Sequence, residues 1–379
     1  MDLSEEQQLV FDTAKSFGEE AIAPHAYAWE KAGEIPRDVL AAAGALGFGA
    51  IYVPEEHGGS GLSRLDATLV FEALAMSCPS VSGFISIHNM TTNMVAKYGS
   101  EALRSDWLDR MIALKVYVAY CLTEPGSGSD AAALRTRAEK TKEGYKLNGT
   151  KSFISGGGFA DLYITMVRTG GEGPKGISTV AVPNGSTGLS FGAQEQKMGW
   201  RAQPTAQVQF DDCVIPSANL LGEEGAGFSY AMEGLDGGRL NIAACSLGAA
   251  QAAMNIALDY MEEREAFGKR LTAFQALQFK LAEMETQLTA ARLFLRHAAA
   301  KLDAKAPDAT KHCAMAKLYV TDVCYDITND ALQMLGGYGY LEDYKIEKLL
   351  RDIRVHQILE GTNQIMRLII SRAILAERA

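Results

Sequence analysis

The spacing of apolar residues divides the chain into three segments of different character. The first segment, residues 1–115, carries apolar positions at helical spacing and is predicted to be α-helical. Local signals mark several helix starts, namely the capping boxes Ser4-x-x-Gln7 and Ser63-x-x-Asp66 and a first-turn proline, Pro36. The glycine-rich stretch 44–49 is expected to end the helix that Pro36 begins.

In the second segment, residues 116–225, the side chains follow the two-residue period of β-strands. The dipeptide Asn148-Gly149 lies between two strand-like runs and favours a hairpin turn with positive φ at both central positions. Strands this closely spaced predict an antiparallel sheet rather than βαβ units. We therefore expect a small β domain in the middle of the chain.

The third segment, residues 226–379, returns to helical spacing. Its clearest stretch places apolar residues alternately three and four positions apart, which is the seam of a helix packed nearly parallel to its neighbours in a bundle. These positions are Phe274, Leu277, Leu281, Met284, Leu288, Ala291, Leu295, Ala298 and Leu302. The predicted fold class is mainly α with a central antiparallel β domain, followed by a C-terminal helical bundle.

Composition and charge exclude several classes of protein. Hydrophobic residues make up 47% and charged residues 22% of the 379 positions, which is ordinary for a globular chain. The net charge of −10 repels phosphate backbones, so nucleic acid is not expected as a partner. No apolar run approaches the roughly 20 residues that span a bilayer, so no membrane span is expected.

The first residues of the chain indicate the cellular compartment to expect. They are acidic from Asp2 onward, unlike a secretory signal or an arginine-rich transit peptide. We expect a bacterial cytoplasmic protein, which the initial methionine favours. If the chain is a processed eukaryotic one, the mitochondrial matrix is the expected compartment.

Cysteine and histidine residues indicate neither a disulfide framework nor a metal site. The six cysteines are scattered singly, without a C-x-x-C pair, and are predicted to be reduced. The six histidines form no pair at ligand spacing, so no metal is expected.

Two short motifs match functional signatures but lack the context that those signatures need. Residues 188–192 satisfy G-x-S-x-G, the nucleophile elbow of serine hydrolases, yet no helix is predicted after them. Residues 126–131 resemble a dinucleotide fingerprint, but the chain continues into the predicted hairpin rather than into the helix of a βαβ unit. We therefore predict neither a serine hydrolase nor a Rossmann domain.

Three glycine-rich segments are candidates for close contact with another group. Residues 121–130 follow a strand and are rich in N–H and hydroxyl donors, which suits either a cofactor site or an ordinary surface loop. Residues 333–340 end a helix, and their paired glycines are a normal helix C-cap, which is the alternative to contact with a ligand. Gly237 and Gly238 cost a helix about 2 kcal/mol, which indicates a close approach to its backbone; a tight helix crossing is the alternative.

Glu360 is the candidate general base. It precedes Gly361, which is expected to end a helix before Thr362 or Asn363 caps the next one. At a helix C-terminus with apolar neighbours, the helix dipole and desolvation would both raise the pKa of its carboxyl, as a base near neutral pH requires. The alternative is a solvated carboxylate at a helix end.

Together these segments resemble the acyl-CoA dehydrogenase family over essentially the full length of the chain. Residues 121–133 are similar to the first signature of that family, and residues 333–352 are similar to the second. Residues 264–268 and 359–362 add to the match. Long mixed patterns of this kind are far more specific than a single glycine motif.

The resemblance implies an N-terminal α-helical domain, a central β domain and a C-terminal four-helix bundle, with limits at 1–115, 116–225 and 226–379. It also implies non-covalent FAD, a homotetramer, an acyl-CoA substrate and Glu360 as the catalytic base.

The resemblance further implies ligand contacts at positions that match family motifs. The subunit's own FAD would contact Tyr120, Leu122, Thr123, Gly128, Ser129, Phe153, Ser155, Thr362 and Gln364. The FAD of a neighbouring subunit would contact Arg264, Phe267, Gln275, Gln333, Gly336 and Gly337. The CoA thioester would contact Ser129, Asp236, Arg239 and Gly361.

Two positions depart from the common family pattern. Phe153 stands where many members carry tryptophan, so an aromatic face is kept but the indole N–H is lost. Leu359 stands before Glu360 where straight-chain members often carry tyrosine, and a smaller residue there would leave room for a branch near the substrate Cα. With the stretches 235–250 and 355–361, the chain is most similar to the isobutyryl-CoA dehydrogenase subfamily.

The implied reaction is α,β-dehydrogenation of a short branched acyl-CoA, above all isobutyryl-CoA, to the 2-enoyl-CoA. Glu360 would remove the α-proton while the β-hydrogen leaves as hydride to the flavin, and the electrons would pass to electron-transfer flavoprotein. Three alternatives stay open: a straight-chain butyryl-CoA dehydrogenase, an acyl-CoA oxidase that uses O₂, and a non-catalytic acyl-CoA-binding protein.

Overall fold

The computed structural model describes residues 3–378, in which helices are followed by strands and then by helices again. The predicted domain limits at residues 1 and 379 lie outside the described residues. The fold is mainly α-helical with a central β-sheet and a C-terminal helical region, as predicted.

The first part of the described chain consists of six α-helices. They are α1 (Glu5–Phe17), α2 (Ala26–Ala32), α3 (Arg37–Ala45), α4 (Arg64–Ser77), α5 (Pro79–Tyr98) and α6 (Glu101–Ile112). Both predicted capping boxes form, at Ser4 before α1 and at Ser63 before α4. Pro36 directly precedes α3, which ends within the predicted glycine-rich stretch.

The central part is a sheet of eight strands within the described residues. These are β1 (Val118–Cys121), β2 (Arg137–Lys140), β3 (Tyr145–Ser155), β4 (Leu162–Arg168), β5 (Ile177–Pro183), β6 (Leu189–Phe191), β7 (Thr205–Ile215) and β8 (Leu220–Leu221). The strand order is β6-β7-β3-β2-β4-β5-β8, with β1 beside β4. Most neighbours are antiparallel, as predicted, while β1 and β2 add parallel pairings to β4.

The predicted hairpin at Asn148-Gly149 is wrong. Both residues lie inside β3, where a β-bulge shifts the register against β7 between Leu147 and Gly149. Gly149 has a φ of 147°, and a Cβ there would lie 2.6 Å from the Thr136 hydroxyl oxygen. Glycine is therefore needed for a bulge and a close contact, and the turn between β2 and β3 lies earlier, at residues 141–144.

The two rejected motifs lack the elements that their chemistry needs. Residues 188–192 contain the short edge strand β6, and the described chain forms no helix between β6 and β7. Residues 126–131 lead through a 3₁₀ turn, Ala131–Ala133, into β2 rather than into an α-helix.

The last part is again helical. It contains α7 (Gly227–Glu263), α8 (Gln275–Asp303), α9 (Ala309–Met334), α10 (Ile346–Ile353) and α11 (Asn363–Ala376), with a hairpin of β9 (Glu265–Ala266) and β10 (Lys269–Arg270) between α7 and α8. The predicted seam lies on α8, where Met284, Leu288 and Leu295 are buried. Helix α7 packs against α4, α5, α8 and α9, so it joins the two helical parts of the molecule.

The long apolar helix α7 and the cysteine thiols lie in the interior. One helix between residues 3 and 378, α7, is long and apolar enough to cross a membrane, but 83% of its apolar window is buried inside the protein. The six cysteines, all within the described chain, are buried and unbridged, as predicted. Between residues 3 and 378, no group of three or more His, Cys, Asp or Glu side chains could hold a metal ion.

Candidate active site

Glu360 lies in a short loop, so its predicted position at a helix C-terminus is wrong. A 3₁₀ turn, Arg354–Gln357, ends before it, and α11 begins after it with Thr362 as the N-cap. The Thr362 hydroxyl accepts a hydrogen bond from the Ile365 N–H at 3.2 Å, as predicted for a capping residue. Glu360 and Gly361 have φ values of 55° and 86°, so two consecutive residues adopt the left-handed conformation.

The Glu360 carboxyl is packed against the backbone of α7. A Cβ at Gly238 would lie only 2.4 Å from Glu360 Oε2, and this oxygen is buried and accepts no hydrogen bond from the described residues. Burial raises the pKa of Glu360 to about 7, although the cations of Arg239 and Lys317 act in the opposite direction. Of the two causes predicted from the sequence, desolvation raises this pKa, whereas the helix dipole does not apply because Glu360 is not at a helix end.

The paired glycines of α7 make space for side chains that come from outside the helix. At Gly238 the incoming group is the carboxyl of Glu360. A Cβ at Gly237 would lie 2.3 Å from Arg64 Nη1, and the Arg64 guanidinium carbon is 3.5 Å from the centroid of the Tyr52 ring. The predicted close approach to the backbone is confirmed, and side chains make it rather than a crossing helix.

Arg239 links α7 to the loop that carries Glu360. The buried guanidinium donates from Nη1 to Asp236 Oδ1 at 2.5 Å and from Nε to the Glu360 carbonyl at 3.4 Å. Asp236 also accepts a hydrogen bond from the Thr310 hydroxyl of α9 at 2.6 Å, and burial raises the pKa of its carboxyl. Asp236 and Arg239, both predicted to contact the thioester, therefore lie beside the candidate base. Their contact with substrate stays a prediction.

Lys317 is a functional candidate that the sequence analysis missed. Its side chain is fully buried on α9, and Nζ donates to the Gly361 carbonyl at 2.9 Å and to Asn363 Oδ1 at 2.7 Å. Burial lowers the pKa of this ammonium group to about 7. The sequence signal for it is a lysine between Cys313 and Val320, two residues of the buried stripe of α9.

The glycine-rich loop after β1 is held on β3 by a buried ion pair. Lys151 Nζ lies 2.8 Å from Glu124 Oε1, and both side chains are buried. The Ser152 N–H donates to the Thr123 carbonyl at 2.8 Å, and Lys151 also donates to the Leu122 carbonyl at 3.1 Å. Loop and strand are therefore fixed to each other at several points.

A flat apolar ring lies exposed beside this loop. Phe153 follows Ser152 on β3, is 68% exposed, and has a φ of 58°. In the loop, Gly126 and Gly128 border open space, and Ser129 is exposed. The arrangement suits a planar ligand against the ring and polar ligand atoms against the loop.

Three further predicted residues lie on neighbouring elements. Tyr120 is on β1, and burial above all, with the nearby charge of Glu360, raises the pKa of its hydroxyl. Ser155 ends β3, and its hydroxyl accepts a hydrogen bond from Gln203 Nε2 at 3.3 Å. Gln364 is exposed in the first turn of α11.

A second group of predicted residues gathers where α9 ends. A cavity of about 430 Å³ there is lined by Arg264, Gln333, Gly336 and Gly337, among others. Phe267, in the turn between β9 and β10, is 96% exposed, and Gln275 is exposed at the start of α8. In the described chain, no hydrogen bond joins this group to Glu360 or to the glycine-rich loop.

Comparison with known proteins identifies the family of the chain. Models of the acyl-CoA dehydrogenase N-terminal, middle and C-terminal domains match residues 4–115, 119–213 and 225–375. The chain belongs to the acyl-CoA dehydrogenase family. Members of this family are FAD-dependent oxidoreductases, so the predicted enzyme class and cofactor are confirmed. The exact domain limits and the individual site residues stay predictions.

The similarity extends over whole chains. The mitochondrial isobutyryl-CoA dehydrogenase of Dictyostelium discoideum is 52% identical over 98% of this chain and 90% of its own length. That of Bos taurus is 51% identical over 100% of this chain and 91% of its own length. The structure of butyryl-CoA dehydrogenase from Megasphaera elsdenii has a TM-score of 0.95 at 37% identity and covers 99% of both chains.

FAD fits the residues that this acyl-CoA dehydrogenase presents. An isoalloxazine ring matches the exposed face of Phe153, because a ring left 68% exposed beside a rigid loop is open to stacking. Side chains do not obstruct the approach at Gly126 or Gly128, where a Cβ would meet nothing. Among the predicted contacts, Thr123, Ser129, Ser155 and Thr362 carry hydroxyl groups suited to hold the cofactor.

Proposed function

We propose that the chain oxidises a short branched acyl-CoA, isobutyryl-CoA, to the 2-enoyl-CoA with Glu360 as the base. The observation that carries the proposal is the state of the Glu360 carboxyl, whose Oε2 is buried without a hydrogen-bond partner among the described residues. With a pKa raised to about 7 by burial, the ionised group is a stronger base than a solvated glutamate and is still populated at neutral pH.

The reaction removes two hydrogens from the acyl chain. Glu360 takes the proton from Cα, and the electron pair of that C–H bond forms the Cα=Cβ double bond as the β-hydrogen leaves with its own pair. FAD, when bound, supplies the acceptor for that hydride. Because Oε2 is shielded from solvent, the abstracted proton is not exchanged with water at once. Ser129, Asp236, Arg239 and Gly361 are the proposed contacts for the thioester.

Two observations support a branched substrate. The relatives named isobutyryl-CoA dehydrogenase share 51–52% of their aligned residues with this chain, whereas the butyryl-CoA dehydrogenase shares 37%. Leu359, which precedes the base, is a smaller residue than the tyrosine expected of straight-chain enzymes. The second candidate is a butyryl-CoA dehydrogenase, and initial rates on isobutyryl-CoA and butyryl-CoA at equal concentration distinguish the two.

The reduced enzyme must pass two electrons onward, and electron-transfer flavoprotein is the proposed acceptor. An acyl-CoA oxidase would give them to O₂ instead, so stoichiometric peroxide during turnover would reject this part of the proposal. The proposed compartment is the bacterial cytoplasm, or the mitochondrial matrix, in line with the two relatives named as mitochondrial.

The substitution Glu360→Gln tests the role of the base. The variant is expected to retain FAD and to bind isobutyryl-CoA, but to lose roughly 10²-fold or more in the rate of anaerobic flavin bleaching, because the amide cannot accept the α-proton. The matched control is Glu342→Gln, which changes a carboxylate that is 63% exposed and paired with Lys31. Bleaching of Glu360→Gln at the control's rate would reject Glu360 as the base.

A further inference from the structure

Two buried cations hold successive carbonyls of the Glu360 loop. Arg239 Nε on α7 lies 3.4 Å from the Glu360 carbonyl, and Lys317 Nζ on α9 lies 2.9 Å from the Gly361 carbonyl. The two cations come from different helices, so the loop is fixed between α7 and α9. Lys317 also donates to Asn363, the first residue of α11, and thereby joins the loop to the helix that follows it.

The conformation that these contacts hold is unfavourable for the loop alone. Glu360 has a Cβ and a φ of 55°, and residues with a Cβ rarely adopt the left-handed conformation, because the Cβ then lies too close to the backbone. Gly361 continues the left-handed turn with a φ of 86°. A strained turn of this kind persists only where the surrounding structure fixes it, and Lys317 supplies two of the fixing hydrogen bonds.

Lys317 and Glu360 also influence each other electrostatically. The charge of Lys317 limits the rise in the pKa of Glu360 that burial causes, and Glu360 limits the fall in the pKa of Lys317. Two other charges affect the pKa of Lys317: Arg239 on α7 lowers it, and Asp322 on α9 raises it. Lys317 in turn lowers the pKa of His356, which lies in the 3₁₀ turn before Glu360. The charges of Lys317 and Glu360 therefore each favour the ionised form of the other group.

We infer that Lys317 is the positioning residue for the catalytic base: it fixes the left-handed turn at Glu360 and Gly361 and stabilises the ionised carboxylate. This inference rests on the proposed role of Glu360. It assigns to Lys317 no contact with substrate or cofactor, because its ammonium group is buried against protein carbonyl oxygens. A lysine that only filled space in α9 would leave the titration of Glu360 unchanged.

Two substitutions separate the charge of Lys317 from its hydrogen bonds. Lys317→Met removes both, whereas Lys317→Gln removes the charge and keeps a shorter N–H donor. The matched control is Lys311→Met, which makes the same change on the same helix at a lysine that pairs only with Glu377 among the described residues. Thermal unfolding and flavin content identify the variants that are folded.

The first measurement reads the Glu360 carboxyl directly and requires no catalysis. Infrared difference spectra of holoenzyme labelled with ¹³C-glutamate are recorded across pH, and the Glu360 band is assigned by its loss in Glu360→Gln. Removal of a nearby positive charge disfavours the carboxylate, so the midpoint is expected to move up by about one pH unit in both Lys317 variants. Lys311→Met should leave the midpoint in place. An unmoved midpoint in folded Lys317→Met or Lys317→Gln overturns the inference.

The second measurement is the pH profile of anaerobic flavin bleaching by isobutyryl-CoA. The profile should move upward with the infrared midpoint, and the limiting rate at high pH should fall by about tenfold or more in Lys317→Met because the base is misplaced. A smaller fall is expected for Lys317→Gln. If no acyl-CoA bleaches even the unsubstituted enzyme, the proposed function fails, while the infrared titration still decides the role of Lys317.

Discussion

Gly238 sets how closely the Glu360 carboxyl approaches α7. In Gly238→Ala the new methyl group would overlap Glu360 Oε2, whose distance from that position is 2.4 Å, and the carboxyl must move. The helix itself would gain up to about 1 kcal/mol from alanine. We therefore expect a folded, flavin-containing protein whose anaerobic bleaching by isobutyryl-CoA is slower by roughly 10²-fold, since small misplacements of a base are costly.

Gly234→Ala is the control for this prediction. It makes the same change on α7, but there a Cβ would lie 3.4 Å from the Met90 side chain, an ordinary contact distance. Its bleaching rate should match that of the unsubstituted enzyme. Equal rates for Gly234→Ala and Gly238→Ala would show that the packing of Glu360 on α7 does not matter for catalysis.

Residues of the site could be predicted from the sequence where a local pattern marks them. Glu360 precedes a glycine, and Gly237 and Gly238 interrupt a helix, so each could be singled out without a structure. Desolvation of the Glu360 carboxyl could also be predicted, but the left-handed loop that buries it could not, because this loop depends on contacts with α7 and α9. Lys317 was missed for the same reason: its partners lie 44 and 46 positions along the chain.

At the scale of elements, the buried pair of Lys151 and Glu124 fixes the glycine-rich loop on β3. Glu124→Ala would leave the ammonium group buried without its carboxylate, which costs about 3–5 kcal/mol when one partner of such a pair is removed. Urea unfolding at neutral pH should show this loss in the free energy of unfolding. The control Lys140→Ala removes an exposed pair with Glu224 and should cost no more than about 1 kcal/mol.

The same pair predicts how stability depends on pH. Although burial acts to raise it, the contacts with Lys151 and with the N–H groups of Arg135 and Thr136 hold the pKa of Glu124 below its ordinary value. The ionised carboxylate therefore stabilises the fold above that ordinary value, and this contribution is lost as the pH falls through the lowered pKa. Unfolding free energies of the parent protein and Glu124→Ala should converge in acid; a constant difference down to the acid transition would contradict this assignment.

An element can be predicted from the sequence when the residues that cause it lie close together in the chain. The helix starts at Ser4 and Ser63 were predicted correctly because each capping box is complete within four residues. The hairpin at Asn148-Gly149 was predicted wrongly because the bulge there depends on pairing with β7 and on packing against Thr136. Turn-forming dipeptides and bulges use the same backbone freedom of glycine, and only the partner strand distinguishes them.

At the scale of the whole molecule, several large aromatic side chains have no cover within the described chain. Phe267 is 96% exposed, Tyr340 is 85% exposed and Phe279 is 59% exposed. Phe267 lies in the β9–β10 turn, close in sequence to Arg264, which lines the cavity at the end of α9. Exposed apolar groups of this size are typical of contact surfaces, which supports the homotetramer implied by the family resemblance, with FAD held between subunits.

Phe267→Asp tests this assembly, because a charge placed in an apolar interface opposes association. Analytical ultracentrifugation should give four chains for the parent protein and a smaller species for the variant, and absorbance of the sedimenting species should show that flavin is lost as the tetramer dissociates. Leu9→Asp is the control. Leu9 is 68% exposed on α1, away from the β9–β10 turn in sequence. The assembly that the Leu9→Asp variant forms should therefore keep the mass and the flavin content of the parent protein. A tetrameric Phe267→Asp with full flavin would exclude this aromatic from the interface, and a flavin-loaded monomeric parent would exclude shared binding of FAD.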